Sequence, residues 1–240
     1  MAAGPFPAAA MATIVLIHGA YQGSWIWKPT AAALRRAGHD VLTPTLDGCA
    51  ERSHALRPGI TNDTHAKELA ELLRLEDLED VTLAGTSSGG MVLCRLAELA
   101  RERVGRIVLA DALALFDGER LADIVTRRSP VTTELGTGPA REDARDRLFA
   151  ELDDATRDWA LDRYTLHPVA VMNDPVRLDS FWDQSRKARV IWCRHSANPP
   201  QAHQRRAAER LDAEWHELDT GHYPMLQAPE ALAALIGEGW

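Results

Sequence analysis

The stretch VTLAGTSSGGMVLCRLAE, residues 81–98, constrains the fold more than any other part of the chain. An apolar run of strand length leads into a knot of small residues, and that knot leads into a helical pattern. A plain turn needs one glycine or two, yet two serines stand here among three glycines. Gly85-Thr86-Ser87-Ser88-Gly89 matches G-x-S-x-G, a pattern that chance yields in fewer than about one chain in ten of this length. The context adds the weight, because a strand stands directly before the motif and an amphipathic helix directly after it. A serine at such a turn sits in strained backbone, so its neighbours must be small. Gly85 and Gly89 keep bulk away from it, and Gly90 lets the helix approach the sheet. The plain alternative is a phosphate-binding or structural glycine turn. Neither G-x-G-x-x-G nor G-x-x-x-x-G-K-[ST] is present, which favours Ser87 as a nucleophile.

The rest of the chain alternates between strand and helix patterns. ATIVLIHG (12–19) is a continuous apolar run that suits a strand buried on both faces. A helix is expected over about 27–37, ending at Gly38, and a short strand in HDVLTPT, closed by Pro44. THAKELAELLRL (64–75) places Ala66, Leu69, Leu72 and Leu73 on one stripe. Strands follow at DVTLAG, GRIVLAD (105–111), ARVIWCR (188–194) and AEWHEL (213–218). Helices are expected at about 88–101, 200–211 and 229–237. Such alternation implies right-handed crossovers and an α/β fold: a mainly parallel six-stranded sheet with helices on both faces. Residues 112–187 break the rhythm. They carry charge and helical patterns around Leu121 to Val125 and Leu148 to Leu161, without a convincing strand, and read as an inserted helical cap. Residues 12–111 and 188–240 then form the core, with 1–11 expected as a disordered tail.

Composition excludes several functions. A net charge of −8 disfavours a sequence-independent hold on nucleic acid, and the pairs Arg127-Arg128 and Arg205-Arg206 read as solvated helix faces flanked by acids. No apolar run approaches the ~18 residues of a membrane span. The first residues lack the basic and apolar regions of a secretory signal, and Cys49, Cys94 and Cys193 have no paired or metal-ligand spacing. A cytoplasmic chain with reduced thiols and no metal or organic cofactor is expected.

A serine hydroxyl needs a base to accept its proton. In LDTGHYPML, His222 follows the last strand in a short loop, and strand C-termini share one edge of a parallel sheet. His39, His65, His203 and His216 fall on helices or strands, and His18 beside Gly19 suggests a backbone role, which leaves His222 as the base. Two backbone N–H groups could steady an oxyanion: Ser88, at a helix N-terminus, and Ala20, in the loop after the first strand.

Together these residues resemble the α/β-hydrolase superfamily, more narrowly the methylesterase and hydroxynitrile lyase group and its bacterial esterase relatives. HGAYQGSWIW, TLDGCAERSHALRPGI, GTSSGGMV, DALALFDGE and GHYPML carry the likeness in that order across nearly the whole chain. The resemblance places the nucleophile at Ser87, the base at His222 and the oxyanion donors at Ala20 and Ser88. Position 88 is usually larger in relatives, so Ser88 is expected to widen the acyl pocket. The third member of the triad departs from the pattern. Plant-type relatives carry an aspartate after the strand equivalent to 188–194, where this chain reads CRHSANPP, with Ser196 near the expected carboxylate. Asp111, at the end of the preceding strand, is the replacement, with Asp219 and Asp117 in reserve. Tyr223 stands where the lyase branch keeps a lysine, which favours the esterases.

The expected chemistry is acyl transfer from a small to medium apolar ester or lactone through a Ser-His-Asp acyl-enzyme. Thioester release uses the same apparatus. A cyclase or C–C lyase and a catalytically silent small-molecule receptor are the other readings, and a homodimer is compatible with all of them. Trp159, Tyr164, Phe181 or Trp182 could roof the pocket from the cap, with Tyr21, Trp25, His54, Arg52 and Tyr223 as further substrate contacts. For each aromatic, a core role is the competing reading.

Overall fold

The computed structural model describes residues 11–126 and 131–238. Most of the expected tail and the pair Arg127-Arg128 lie outside the described residues. Among the described residues nine strands occur in chain order: β1 (Thr13–Ile17), β2 (Asp40–Leu42), β3 (Val81–Ser87), β4 (Val104–Ala112), β5 (Val131–Thr132), β6 (Gly136–Gly138), β7 (His167–Pro168), β8 (Lys187–Cys193) and β9 (Glu214–Leu218). Six of them form one sheet in the order β2-β1-β3-β4-β8-β9, and every pairing in it is parallel.

This sheet follows directly from the apolar runs. Ile14, Leu16, Ala84, Val108, Ala110 and Ile191 point to one face, against Ala31 and Leu34 of the helix Lys28–Arg36 and Leu232 and Ile236 of the helix Pro229–Gly237. The alternate residues Val15, Ile17, Leu83, Ile107, Leu109 and Val190 point to the other face. There they meet Leu69 and Leu73 of the helix Asn62–Leu75, Val92 and Leu96 of Gly89–Leu99, and Ala207 and Leu211 of Gln201–Leu211. A two-residue side-chain period sorts one strand into two cores, which is why the central strands read as unbroken apolar runs. The helix at 62 starts earlier than its apolar stripe suggests. Thr61 and Thr64 cap it reciprocally, each hydroxyl accepting the other's backbone N–H.

The segment between β4 and β8 departs from the expectation of a purely helical insertion. It carries a second sheet, antiparallel, in the order β5-β6-β7. Strands of two and three residues are too short to show a period of two, so alternation could not reveal them. The helical parts are brief as well: Leu121–Ile124, Asp154–Leu161, Val169–Asn173 and a π-helical turn at Ala144–Leu148. Arg205 and Arg206, expected on a solvated face, fold back onto rings. Arg205 covers Trp215 at 3.5 Å, and Arg206 covers Phe116 at 4.2 Å while gripping both carboxylate oxygens of Glu119.

Candidate active site

The C-terminal edge of the large sheet is where the backbone departs from ordinary geometry. Ser87 ends β3 with φ 51°, in the left-handed region that side chains avoid. Space for that turn comes from its neighbours. A β-carbon on Gly19 would come within 2.6 Å of Ser87 Cβ, and one on Gly89 within 2.5 Å of the His18 carbonyl oxygen. The glycines therefore serve close approach, while the serine itself takes the strained conformation.

One strand over, Asp111 holds φ 48°. Thr86 pairs with Ala110 and Ser87 with Ala112, so Asp111 is the extra residue of a β-bulge at the end of β4. The bulge leaves the ladder closed beyond it, with Leu113 N–H donating to the Ser87 carbonyl at 2.9 Å. Asp111 is fully buried, and its Oδ2 accepts from His222 Nδ1 at 2.6 Å. That bond puts the imidazole proton on Nδ1 and leaves Nε2 as the acceptor nitrogen. Oδ1 of Asp111 accepts from Gln204 Nε2 at 2.7 Å.

His222 is held from the insertion side as well. Its backbone N–H donates to Glu151 Oε2 at 2.9 Å, and Gln227 bridges the Gly221 N–H and the Glu151 carbonyl. Behind the imidazole, Tyr223 is buried against Phe149, with ring centres 5.1 Å apart.

Ser87, Ser88, Ala20, Tyr21 and His222 line one cavity of about 720 Å³. Its remaining wall is mostly apolar: Leu113 after β4, Leu121, Ile124, Val125, Leu148 and Met172 from the insertion, and Pro139, Pro199 and Pro200 from loops. Asp143, Arg147 and Asn198 supply polar groups, the first two facing each other at 3.5 Å.

The structure thus brings together Ser87, His222, Asp111, Ala20, Ser88 and Tyr21. The reserve acids are occupied elsewhere: Asp219 faces His195 at 2.9 Å, and Asp117 accepts the Leu178 N–H. Several expected substrate contacts do not reach the cavity wall. Trp25 and Trp159 pack edge to face at 5.3 Å, and Arg163 covers Trp159. Trp182 donates to the Leu115 carbonyl and packs between Phe116 and Phe181, so it belongs to the insertion's own core. His54 is exposed, 3.0 Å from the Glu51 carbonyl, and Arg52 pairs with Glu68 and Asp47. Tyr223 supports His222 from behind and does not line the cavity. Aromatic residues in a cap are as useful for its packing as for its pocket, and composition does not separate the two. The aliphatic wall that does line the cavity carried no signal beyond ordinary hydrophobicity. Gln204 and Glu151 carried none at all.

The other buried histidines have structural partners. His18 donates from Nδ1 to the Gly19 carbonyl and accepts the Leu46 N–H at Nε2; burial pulls its pKa down to about 4. His65 donates to the Asp47 carbonyl, and His167 lies 3.4 Å from the Cys49 thiol. Burial lowers the pKa of both histidines, and it raises all three cysteine thiols far above their ordinary range. Among the described residues no cluster of His, Cys, Asp and Glu suits a metal ion, and no helix is long and apolar enough to cross a membrane.

A strand–turn–helix with a strained serine at its turn, a histidine in the loop after the last strand and a parallel sheet in this order define the class. The alpha/beta hydrolase family model matches residues 14–235, and the chain belongs to that family. It is 39% identical over 120 residues to a carbendazim hydrolyzing esterase of Nocardioides sp. (strain SG-4G), covering 50% of this chain and spanning 50% of that protein's length. To methylesterase 3 of Arabidopsis thaliana it is 25% identical over 257 aligned positions, covering 94% of each chain. The fold matches that of an extracellular alpha/beta-hydrolase from a Paenibacillus species with a TM-score of 0.81 and 22% identity, over 95% of this chain and 100% of that one.

Proposed function

We propose that this protein is a serine hydrolase of carboxylic esters, acting through Ser87, His222 and Asp111. The observation that carries the reading is the 2.6 Å bond from His222 Nδ1 to the buried Asp111, with His222 and Ser87 lining one cavity. Ser87 Oγ attacks the ester carbonyl, and Nε2 of His222 accepts its proton. Asp111 holds the imidazole in that tautomer and stabilises the imidazolium that forms. The N–H groups of Ala20 and Ser88 receive the oxyanion. The imidazolium then protonates the leaving alcohol, and a water activated by the same ring releases the acid from Ser87.

The mostly aliphatic lining supports an apolar ester of small to medium size, and the polar pair Asp143 and Arg147 suits one polar substituent. The similarity to a carbendazim hydrolyzing esterase and to a methylesterase makes carbendazim and methyl esters the first compounds to try. A fluorophosphonate probe and a p-nitrophenyl ester series test the reading. Labelling of wild type but not Ser87→Ala, with turnover lost in that variant, is expected. Ligand binding without labelling would identify a silent receptor, and labelling without ester turnover would move the chemistry to a thioester or a C–C lyase.

A further inference from the structure

We infer that Gln204 is a positioning residue for the catalytic carboxylate, holding Asp111 with one oxygen aimed at His222. The inference rests on the acyl-transfer reading for its importance, though not for its geometry. Gln204 sits in the first turn of the helix Gln201–Leu211, at 1% exposure. Its Nε2 spends both hydrogens, one on Asp111 Oδ1 at 2.7 Å and one on the Pro199 carbonyl at 3.1 Å. The opposite amide orientation would set its oxygen against the carboxylate, so the donor must face Asp111.

Holding that orientation is costly, because among the described residues the buried Gln204 Oε1 has no hydrogen-bond partner. A side chain chosen only to fill space would carry no such liability. What the amide supplies is a neutral donor to a carboxylate that is fully buried and has one other side-chain partner, the imidazole. With Oδ1 tethered, Oδ2 cannot rotate away from Nδ1. Ser196 occupies the remaining approach to Nδ1, its Oγ 3.5 Å away and itself donating to the Asn198 carbonyl. The loop and helix after β8 therefore surround the acid–imidazole pair with neutral groups. The other titratable groups around the pair are Glu151 at the His222 backbone, Cys193 on β8 and Tyr223 behind the ring.

The competing role is mechanical, a staple between the helix and the end of β4. His203, one residue earlier, is such a staple: its Nε2 accepts the Ala114 N–H at 3.1 Å and it does not touch Asp111. That neighbour supplies the control.

The test compares Gln204→Leu, Gln204→Glu and His203→Leu by thermal melting, ester kinetics across pH, and NMR titration of His222 in the Ser87→Ala background. Gln204→Leu is expected to lower kcat/KM about 10- to 100-fold, mostly in kcat, and to raise the His222 pKa as Asp111 loses its second donor. Gln204→Glu keeps the shape; protonated, its single O–H can replace the bond to Asp111, though not the one to the Pro199 carbonyl. Its activity should approach wild type at low pH and fall as pH rises and the new carboxyl ionises against Asp111. His203→Leu, which removes the acceptor for the Ala114 N–H, should lower the melting temperature without moving the His222 titration. Variants of Gln204 that melt lower while His222 titrates as in wild type would reduce it to a staple and overturn the inference. The NMR titration decides this even if wild type shows no ester turnover, an outcome that would instead sink the hydrolase reading.

Discussion

Ser87 and Asp111 stand in left-handed backbone at the ends of adjacent strands, with φ of 51° and 48°. Each conformation costs about 1–3 kcal/mol, and a fold keeps two such residues side by side only when the surrounding structure over-determines them. For Asp111 the bulge turns its carboxylate out of the ladder toward the imidazole of His222, 111 residues later in the chain. Asparagine tolerates the same backbone, so Asp111→Asn isolates the charge. Its amide would donate to Nδ1 and force the proton onto Nε2, the wrong tautomer for a base. A loss of about 10⁴-fold in kcat is expected, with the melting temperature little changed. A loss below about tenfold would remove Asp111 from the mechanism.

Ser196 offers the reciprocal experiment. Its Oγ lies 3.5 Å from the same ring nitrogen, so a carboxylate at that position would reach Nδ1. Ser196→Asp is expected to recover at least about tenfold of the activity lost in Asp111→Asn. No recovery, with the double variant folded, would mean that the acid must approach from β4.

Glu151 and Gly221 form the other hold on His222. A β-carbon at Gly221 would overlap the Glu151 carboxylate, which receives the His222 backbone N–H. Gly221→Ala must therefore push Glu151 away and free the loop. A hydrogen bond to a charged group contributes about 1.5–3 kcal/mol, so a kcat/KM loss of roughly 10- to 100-fold is expected. Glu151→Ala should show a similar loss, and the two changes together should cost little more than either alone. Additive losses would show that the two residues act independently.

Much of this site was legible before any coordinates. Ser87 announced itself through its small neighbours and its place between strand and helix, and His222 through its position after the last strand. Asp111 was legible as a strand-end acid, but the bulge that aims it was not, because one extra residue leaves no mark on an apolar pattern. The six large-sheet strands were legible, the central ones as apolar runs, whereas β5, β6 and β7 were too short to alternate. The expected aromatic contacts misled because Trp25, Trp159 and Trp182 pack against each other or other rings. Gln204 and Glu151 meet Asp111 and the His222 loop through hydrogen bonds across the fold, and no local spacing encodes such contacts.

Buried neutral histidines set the acid stability. Burial holds His18 and His203 down to about 4, with the Arg206 charge adding to the effect at His203. An unfolded chain takes up those protons near pH 6.5, so the stability they contribute is full above that pH and is lost as pH falls toward 4. Each site adds a slope of up to about 1.4 kcal/mol per pH unit in that window. His203→Gln can still accept the Ala114 N–H through its amide oxygen and does not titrate. Urea unfolding of this variant should show a shallower decline between pH 6.5 and 4 than wild type. An unchanged slope would mean that His203 charges in the folded state without penalty.

Ser88 lines the cavity at 2% exposure, next to Ser87. Leucine there would project into space that a substrate chain otherwise fills. In a p-nitrophenyl series from acetate to octanoate, Ser88→Leu should leave short esters within about threefold of wild type. Longer esters should lose 10- to 200-fold, the range that one methylene's worth of crowding or contact usually commands. The backbone N–H at this position stays, so a uniform loss across the series would point instead to a displaced oxyanion donor. A preference that shifts toward short chains identifies residue 88 as a wall of the acyl pocket; an unshifted preference places the chain elsewhere in the cavity.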